Sequence, residues 1–140
     1  MRRFLVLVTL IGTSFTSAGL AQTPHVPQKY RDAAAPTLLV AAKAGDAEAM
    51  LWLGIKHSND NQDVPRSDVE ATRWFRKAAE AGEPSGMYFS GIAYWSGRGA
   101  EKDMVEAYKW MRLSAKYGNV TLRDMANGAL EGLTRAMTPQ

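Results

Sequence analysis

Residues 74–82 read Trp-Phe-Arg-Lys-Ala-Ala-Glu-Ala-Gly. The stretch 36 residues on, Trp110-Met111-Arg112-Leu113-Ser114-Ala115-Lys116-Tyr117-Gly118, repeats its order of indole, cation, small residues and closing glycine. Ala41-Ala42-Lys43-Ala44-Gly45 is an earlier copy, its glycine 37 residues before Gly82. Outside these stretches Glu70-Ala71 matches Glu106-Ala107, Met50 matches Met87, and Gly54-Ile55 matches Gly91-Ile92. A fixed period of this length marks a stack of supersecondary units, each burying its apolar face on its neighbours.

Each unit reads as two helices. Ser67 followed by Glu70 is a capping-box pattern: the hydroxyl takes one orphan N–H of the new helix, and the carboxylate reaches back to the cap's own N–H. Asp103 with Glu106 repeats it one unit later, and Thr121 with Asp124 reads as a third helix start. Val69, Trp74, Ala78 and Ala79 recur at helical spacing, as do Val105, Trp110 and Ala115. Gly45, Gly82 and Gly118 stand just past helix ends, where a left-handed backbone costs glycine nothing. Pro84 suits a first helical turn, where its missing N–H is no loss. No stretch alternates strictly enough for a strand. The fold expected is all-α, a short α/α solenoid of two to two-and-a-half helix-turn-helix repeats. Its parts are a helix over 36–44, units over 46–81 and 84–117, and a terminal helix over 121–135, within a domain over 32–140.

Ahead of the repeats, Arg2 and Arg3 precede the apolar run Phe4–Ile11 and the small-residue stretch Gly12–Ala21. That order is a secretory signal peptide over 1–21, cleaved after Ala21, and its apolar run is too short to span a bilayer. The expected mature chain is therefore 22–140, periplasmic or secreted, with no stable membrane insertion after cleavage. Residues 22–31, with Pro24 and Pro27, read as an extended linker that carries His25. The 140 residues hold 17 Lys and Arg against 14 Asp and Glu, a net charge of +3 that falls to +1 without the leader arginines. Such a balance gives no electrostatic footprint for nucleic acid. Zero cysteines exclude disulfides, thiolate catalysis and Cys-ligated zinc.

Chemistry-bearing patterns are sparse. Gly-x-Ser-x-Gly, Ser-x-x-Lys and His-Glu-x-x-His are all missing, and the two histidines, His25 and His57, form no pair in sequence. In the loop Asn59-Asp60-Asn61-Gln62-Asp63, the Asn59, Asn61, Asp63 and Glu70 positions follow a calcium-loop register. Val64 stands where that loop needs glycine, however, and its first position lacks a carboxylate. The loop reads as an Asn/Asp turn before Pro65. Gly97-Arg98-Gly99 lacks a preceding strand and a Walker lysine, and reads as an inter-helix turn. The expectation is no cofactor, no metal and no catalysis.

The tryptophans separate by register. Trp74 and Trp110 hold equivalent second-helix positions and read as packing between helices. Trp52 aligns with Phe89 on the first helices. Helical spacing joins Glu48, Trp52, Ile55 and Asn59 on one face, and Ser85, Phe89, Ile92 and Ser96 on its counterpart. In stacked helix pairs these faces line the concave side. Large aromatics among small polar groups there are candidate interface anchors, so Glu48, Trp52, Ile55, Ser85, Phe89, Ile92 and Trp95 are the expected partner-binding residues. Packing of Trp52 and Phe89 within so short a stack is the competing reading. Leu122, Met125, Leu130 and Leu133 line the last helix, and any strip of them left apolar would support homodimerisation or partner docking.

Trp74–Gly82, with Gly91-Ile92-Ala93-Tyr94 and Gly97-Arg98-Gly99, resembles the Sel-one-like repeat, a relative of the tetratricopeptide repeat with a slightly longer unit. The likeness covers about 37–135 and is best over 84–118. The first unit departs from it, with Asn61-Gln62-Asp63 where the glycine turn belongs and one extra residue. The last helix has Asn127 where the family has glycine. The resemblance implies a non-catalytic protein–protein interaction module, and with the leader over 1–21 the expected partner is an envelope or exported protein. Scaffold, regulator and immunity-type inhibitor are the roles it implies. Two alternatives are a hydrolase of cell wall or β-lactams, as some repeat relatives suggest, and a small-ligand groove.

Overall fold

The computed structural model describes residues 26–138. Among them six helices follow in order and no strand occurs: α1 (Ala35–Lys43), α2 (Ala47–Ser58), α3 (Asp68–Glu80), α4 (Pro84–Ser96), α5 (Met104–Tyr117) and α6 (Val120–Met137). Each helix packs on its neighbour in sequence, and α6 also reaches α4, which gives the short helical solenoid expected. The expected signal peptide over 1–21, its expected cleavage after Ala21, and His25 lie outside the described residues.

Local chemistry sets the helix starts. Asp46 takes the N–H groups of Glu48 and Ala49 to cap α2, and Glu83 takes that of Ser85 to cap α4, whose first residue is Pro84. Ser67 accepts from Glu70 N–H, and Asp103 accepts from Val105 and Glu106 N–H. The reciprocal half of each capping box is not formed. The N–H of Ser67 donates to the His57 carbonyl at 2.8 Å, and that of Asp103 to the Tyr94 carbonyl at 3.0 Å. Glu70 and Glu106 instead pair with Arg73 and Lys109 one turn on. The cap residue's donor is thus spent on the last turn of the preceding helix, which ties the two helices of a unit together. α6 starts at Asn119, whose side chain accepts from Leu122 N–H, rather than at Thr121, and it runs past the expected end.

Gly45 and Gly82 both adopt φ of +94°, the left-handed end expected of them. Gly118 does not: its φ is −73°, and a side chain there would crowd the Ser114 carbonyl and Leu122. Val69 and Val105, read from spacing as inward, are 62% and 69% exposed. Both lie in the first turn of a second helix, where a side chain leans back toward the helix start, beyond the packed part.

The largest core cluster joins Leu38 of α1, Leu51, Trp52 and Ile55 of α2, Trp74 and Phe75 of α3, and Phe89 of α4. A second closes Ala107 and Met111 of α5 onto Leu133 of α6, with Trp95 and Leu130 at its edge. Trp110 packs with Ala79 and Met87. Leu122 is also buried, while Met125 and Leu130 are half-buried, so most of the α6 apolar strip is covered by the pair before it.

Residues 26–31, within the segment read as a linker, fold back onto α2. Val26 is buried in the main cluster, Lys29 Nζ pairs with Asp46 at 2.7 Å, and Tyr30 Oη–H donates to the same carboxylate at 2.9 Å.

Candidate functional site

The seven candidate residues fall in three places. Trp52 is 2% exposed: its ring lies in the cluster with Val26 and Leu38, and its indole N–H donates to the Pro27 carbonyl at 2.9 Å. Ile55 is buried beside it, and Ser85 is buried in the first turn of α4. Phe89, 8% exposed, stacks on Phe75 at 4.8 Å between ring centroids and meets Tyr88 edge-on at 5.8 Å. Trp52 and Phe89 are therefore core rings and not open anchors. The reason is geometric. In a stack this short every first helix is covered by neighbours, α2 by α1, α3 and residues 26–30, and α4 by α3 and α5. Leaving a large ring in water would forfeit about 25 cal/mol per Å².

Phe89 and Ile92 nevertheless reach a surface. A recess of about 160 Å³ opens between the C-terminal ends of α2 and α4, over the first turns of α3. Phe75, Phe89, Ile92 and Ala93 supply its apolar wall, and Ser58, Ser96 and Arg98 its polar rim. The rim is held in place: Thr72 Oγ1–H donates to the Arg98 carbonyl at 3.0 Å, and the Arg98 guanidinium meets Asp68 at 3.3 Å. The volume is close to the ~150 Å³ that houses a benzene ring in a protein interior. One apolar side chain fits it. Trp95, half-buried, turns the other way, onto α6 at Gly132, where a Cβ would stand 3.0 Å from the indole.

Glu48, half-buried on α2, has one carboxylate oxygen buried without a hydrogen-bond partner. Burial raises the carboxyl of Glu83 above its ordinary value, the Ser85 N–H opposes that rise, and the charge of Glu48 adds to it. This end of the first helices therefore carries acid held away from water. Among the described residues no three His, Asp or Glu side chains converge on a metal-sized space, and no helix is long and apolar enough to cross a membrane. In the Asn59–Asp63 loop, the Asn61 side chain accepts from the N–H groups of Asp63 and Val64 and donates to the Lys56 carbonyl, which is the chemistry of a turn.

Sequence spacing missed Phe75, Thr72, Ser58 and Arg98 as walls of the recess. Phe75 carried a signal, since it stands where the next unit has Met111, and a ring in place of a thioether leaves a differently shaped space. The Arg98–Asp68 link bridges 30 residues and had no local signal.

The family model for the Sel1 repeat matches residues 47–83 and 84–119. Among solved structures, a Sel1 repeat protein from Oxalobacter formigenes is similar, with 29% identity and a TM-score of 0.63 over 69% of this chain and 37% of that one. The protein c5321, a protective antigen present in uropathogenic Escherichia coli strains and displaying an SLR fold, shows 24% identity and a TM-score of 0.44 over 70% of this chain and 29% of its own. The chain thus spans about a third of the length of these solved proteins. No curated protein matches it.

Proposed function

The chain belongs to the Sel1 repeat family, whose members generally mediate protein–protein interaction, and on that premise we propose that it is a non-catalytic, exported binding module for one envelope or secreted protein. The partner-binding surface in this reading is the first-helix side, centred on the recess beside Phe89 and Ile92. The observation that carries the reading is that recess: apolar-walled, sized for one side chain, and rimmed by Ser58, Ser96 and Arg98. A buried apolar anchor ringed by polar groups is the usual energetic centre of an interface. Trp52 and Ile55 pack in the core of this side, and Glu48 stands in the first turn of α2, at the opposite end of that helix from the recess. Export rests on the leader over 1–21, and the partner roles remain scaffold, regulator of an envelope sensor, or inhibitor of an exported toxin.

The test is site-specific photo-crosslinking in the native envelope from Ser96, on the rim, and from the exposed Val69 as a control. One discrete adduct from Ser96 that disappears in an Ile92→Asp background is expected. Adducts of equal yield from both positions, or none from Ser96, would sink the assignment of this surface. Retention of the protein inside spheroplasts would sink the export reading separately.

A further inference from the structure

The outer groove between α5 and α6 differs in charge from the equivalent groove one unit back, and that difference suggests what fills it. Between α3 and α4 the groove is occupied by α5: Trp110 packs on Ala79 and Met87, and Ser114 Oγ–H donates to the Pro84 carbonyl at 3.0 Å. Met111 lies over Gly91, so close that a Cβ on Gly91 would stand 2.9 Å from its side chain. Along that groove Arg76 and Glu80 neutralise each other at 3.2 Å. One period later the corresponding residues are Arg112 and Lys116, two like charges a turn apart, an arrangement that works against the helix carrying it. Arg135 joins them from α6. Glu131 is the one carboxylate lining the groove, and none of the three cations is in an ion pair among the described residues. Beneath the charges Leu113, Ala115 and Leu130 form a half-buried apolar floor, under two adjoining recesses of about 390 and 720 Å³.

We propose that the α5–α6 groove docks an acidic amphipathic helix of a partner protein, as a second contact surface independent of the recess between α2 and α4. A helix fits because the same groove one unit back already holds one. Acidic flanks fit because three cations face one carboxylate. A second copy of this chain fits poorly. Two copies meeting groove to groove would set cations against cations. An α5-like helix would also bring its methionine onto Asn127, which stands where Gly91 makes room for Met111.

The full chain is titrated by fluorescence anisotropy with two synthetic helices that share one leucine–alanine stripe, one flanked by glutamates and its twin by lysines. At physiological ionic strength the glutamate helix binds at least tenfold tighter, and its affinity falls with added salt. The variant Arg112→Glu/Lys116→Glu/Arg135→Glu changes only exposed side chains, and unchanged helical circular dichroism verifies its fold. That variant reverses the preference. Equal binding of both helices, or a preference that survives charge reversal, overturns the proposal. So does capture of phosphatidylserine-containing vesicles in place of the helix, which would make the groove a membrane contact. So does a dimer in sedimentation velocity that the triple variant abolishes, which would make a second copy the occupant. Crosslinking from Ser96 is unaffected by any of these outcomes.

Discussion

The indole N–H of Trp52 donates to the main-chain carbonyl of Pro27 at 2.9 Å, a bond that closes a loop of 25 residues and holds the segment ahead of α1 against α2. The ring contributes in two ways, by apolar burial and by this bond, and two substitutions separate them. Trp52→Phe keeps much of the ring and leaves the Pro27 carbonyl unpaired, at a cost of about 1 kcal/mol. Trp52→Ala also opens a cavity beside Val26 and Leu38, and is expected to cost about 3–5 kcal/mol. Urea unfolding monitored by circular dichroism measures both. Equal and small losses would show that the ring is not core.

Gly91 is fixed by space. A Cβ there would stand 2.9 Å from the Met111 side chain, in the contact that joins α4 to α5. Gly91→Ala should therefore destabilise by about 1–3 kcal/mol through overpacking, although alanine is the better helix former. Gly128 has open space around the added atom, so Gly128→Ala should be neutral or stabilising by up to about 1 kcal/mol. Thermal unfolding of the two single variants gives opposite signs if the packing is as described.

The helix caps make a third prediction that divides the two partners of the expected box. Ser67→Ala removes the side-chain acceptor for Glu70 N–H and should cost about 1 kcal/mol. Glu70→Ala removes an exposed pairing with Arg73 and a first-turn negative charge, losses that the higher helix propensity of alanine partly offsets, and should cost less than about 0.5 kcal/mol. A larger loss from Glu70→Ala than from Ser67→Ala would restore the reciprocal capping box, since alanine removes the acceptor that glutamine would keep.

These cases also show which parts of the molecule were legible in sequence. Helices and their order follow from signals within one or two turns: the period of Trp74 and Trp110, the glycines at 45 and 82, and the caps at Ser67 and Asp103. Burial of Trp52 and Phe89 was not decided by such signals. Helical spacing says which residues share a face, but not what covers it. The cover on Trp52 comes from Val26 and Pro27, and that on Phe89 from Phe75 of another helix. The candidate site shifts for the same reason. Phe89 and Ile92 do meet at a surface, but the remaining walls come from α3 and from the turn at Arg98, 30 residues away in sequence from its partner Asp68.

Asp46 provides the pH test. The Lys29 ammonium, bonded to it at 2.7 Å, holds its carboxyl down to about 2 from an ordinary 3.8, with the Tyr30 hydroxyl and the Ala49 N–H acting in the same direction. Because the folded carboxyl is the stronger acid, the unfolded chain takes up the proton first as pH falls. The contribution of this site is therefore complete above about pH 4 and is lost progressively toward pH 2. Solvent screens the pair, so the whole effect should stay below about 1 kcal/mol. Asp46→Asn retains an N-cap acceptor for α2 but loses the charge that Lys29 pairs with. The variant should be slightly less stable than the parent at pH 5 and indistinguishable from it at pH 2, with urea unfolding at the two pH values as the measurement. A stability difference that stays constant between them would mean that residues 26–30 are held by Val26 and the Trp52 bond alone, with the ion pair contributing nothing.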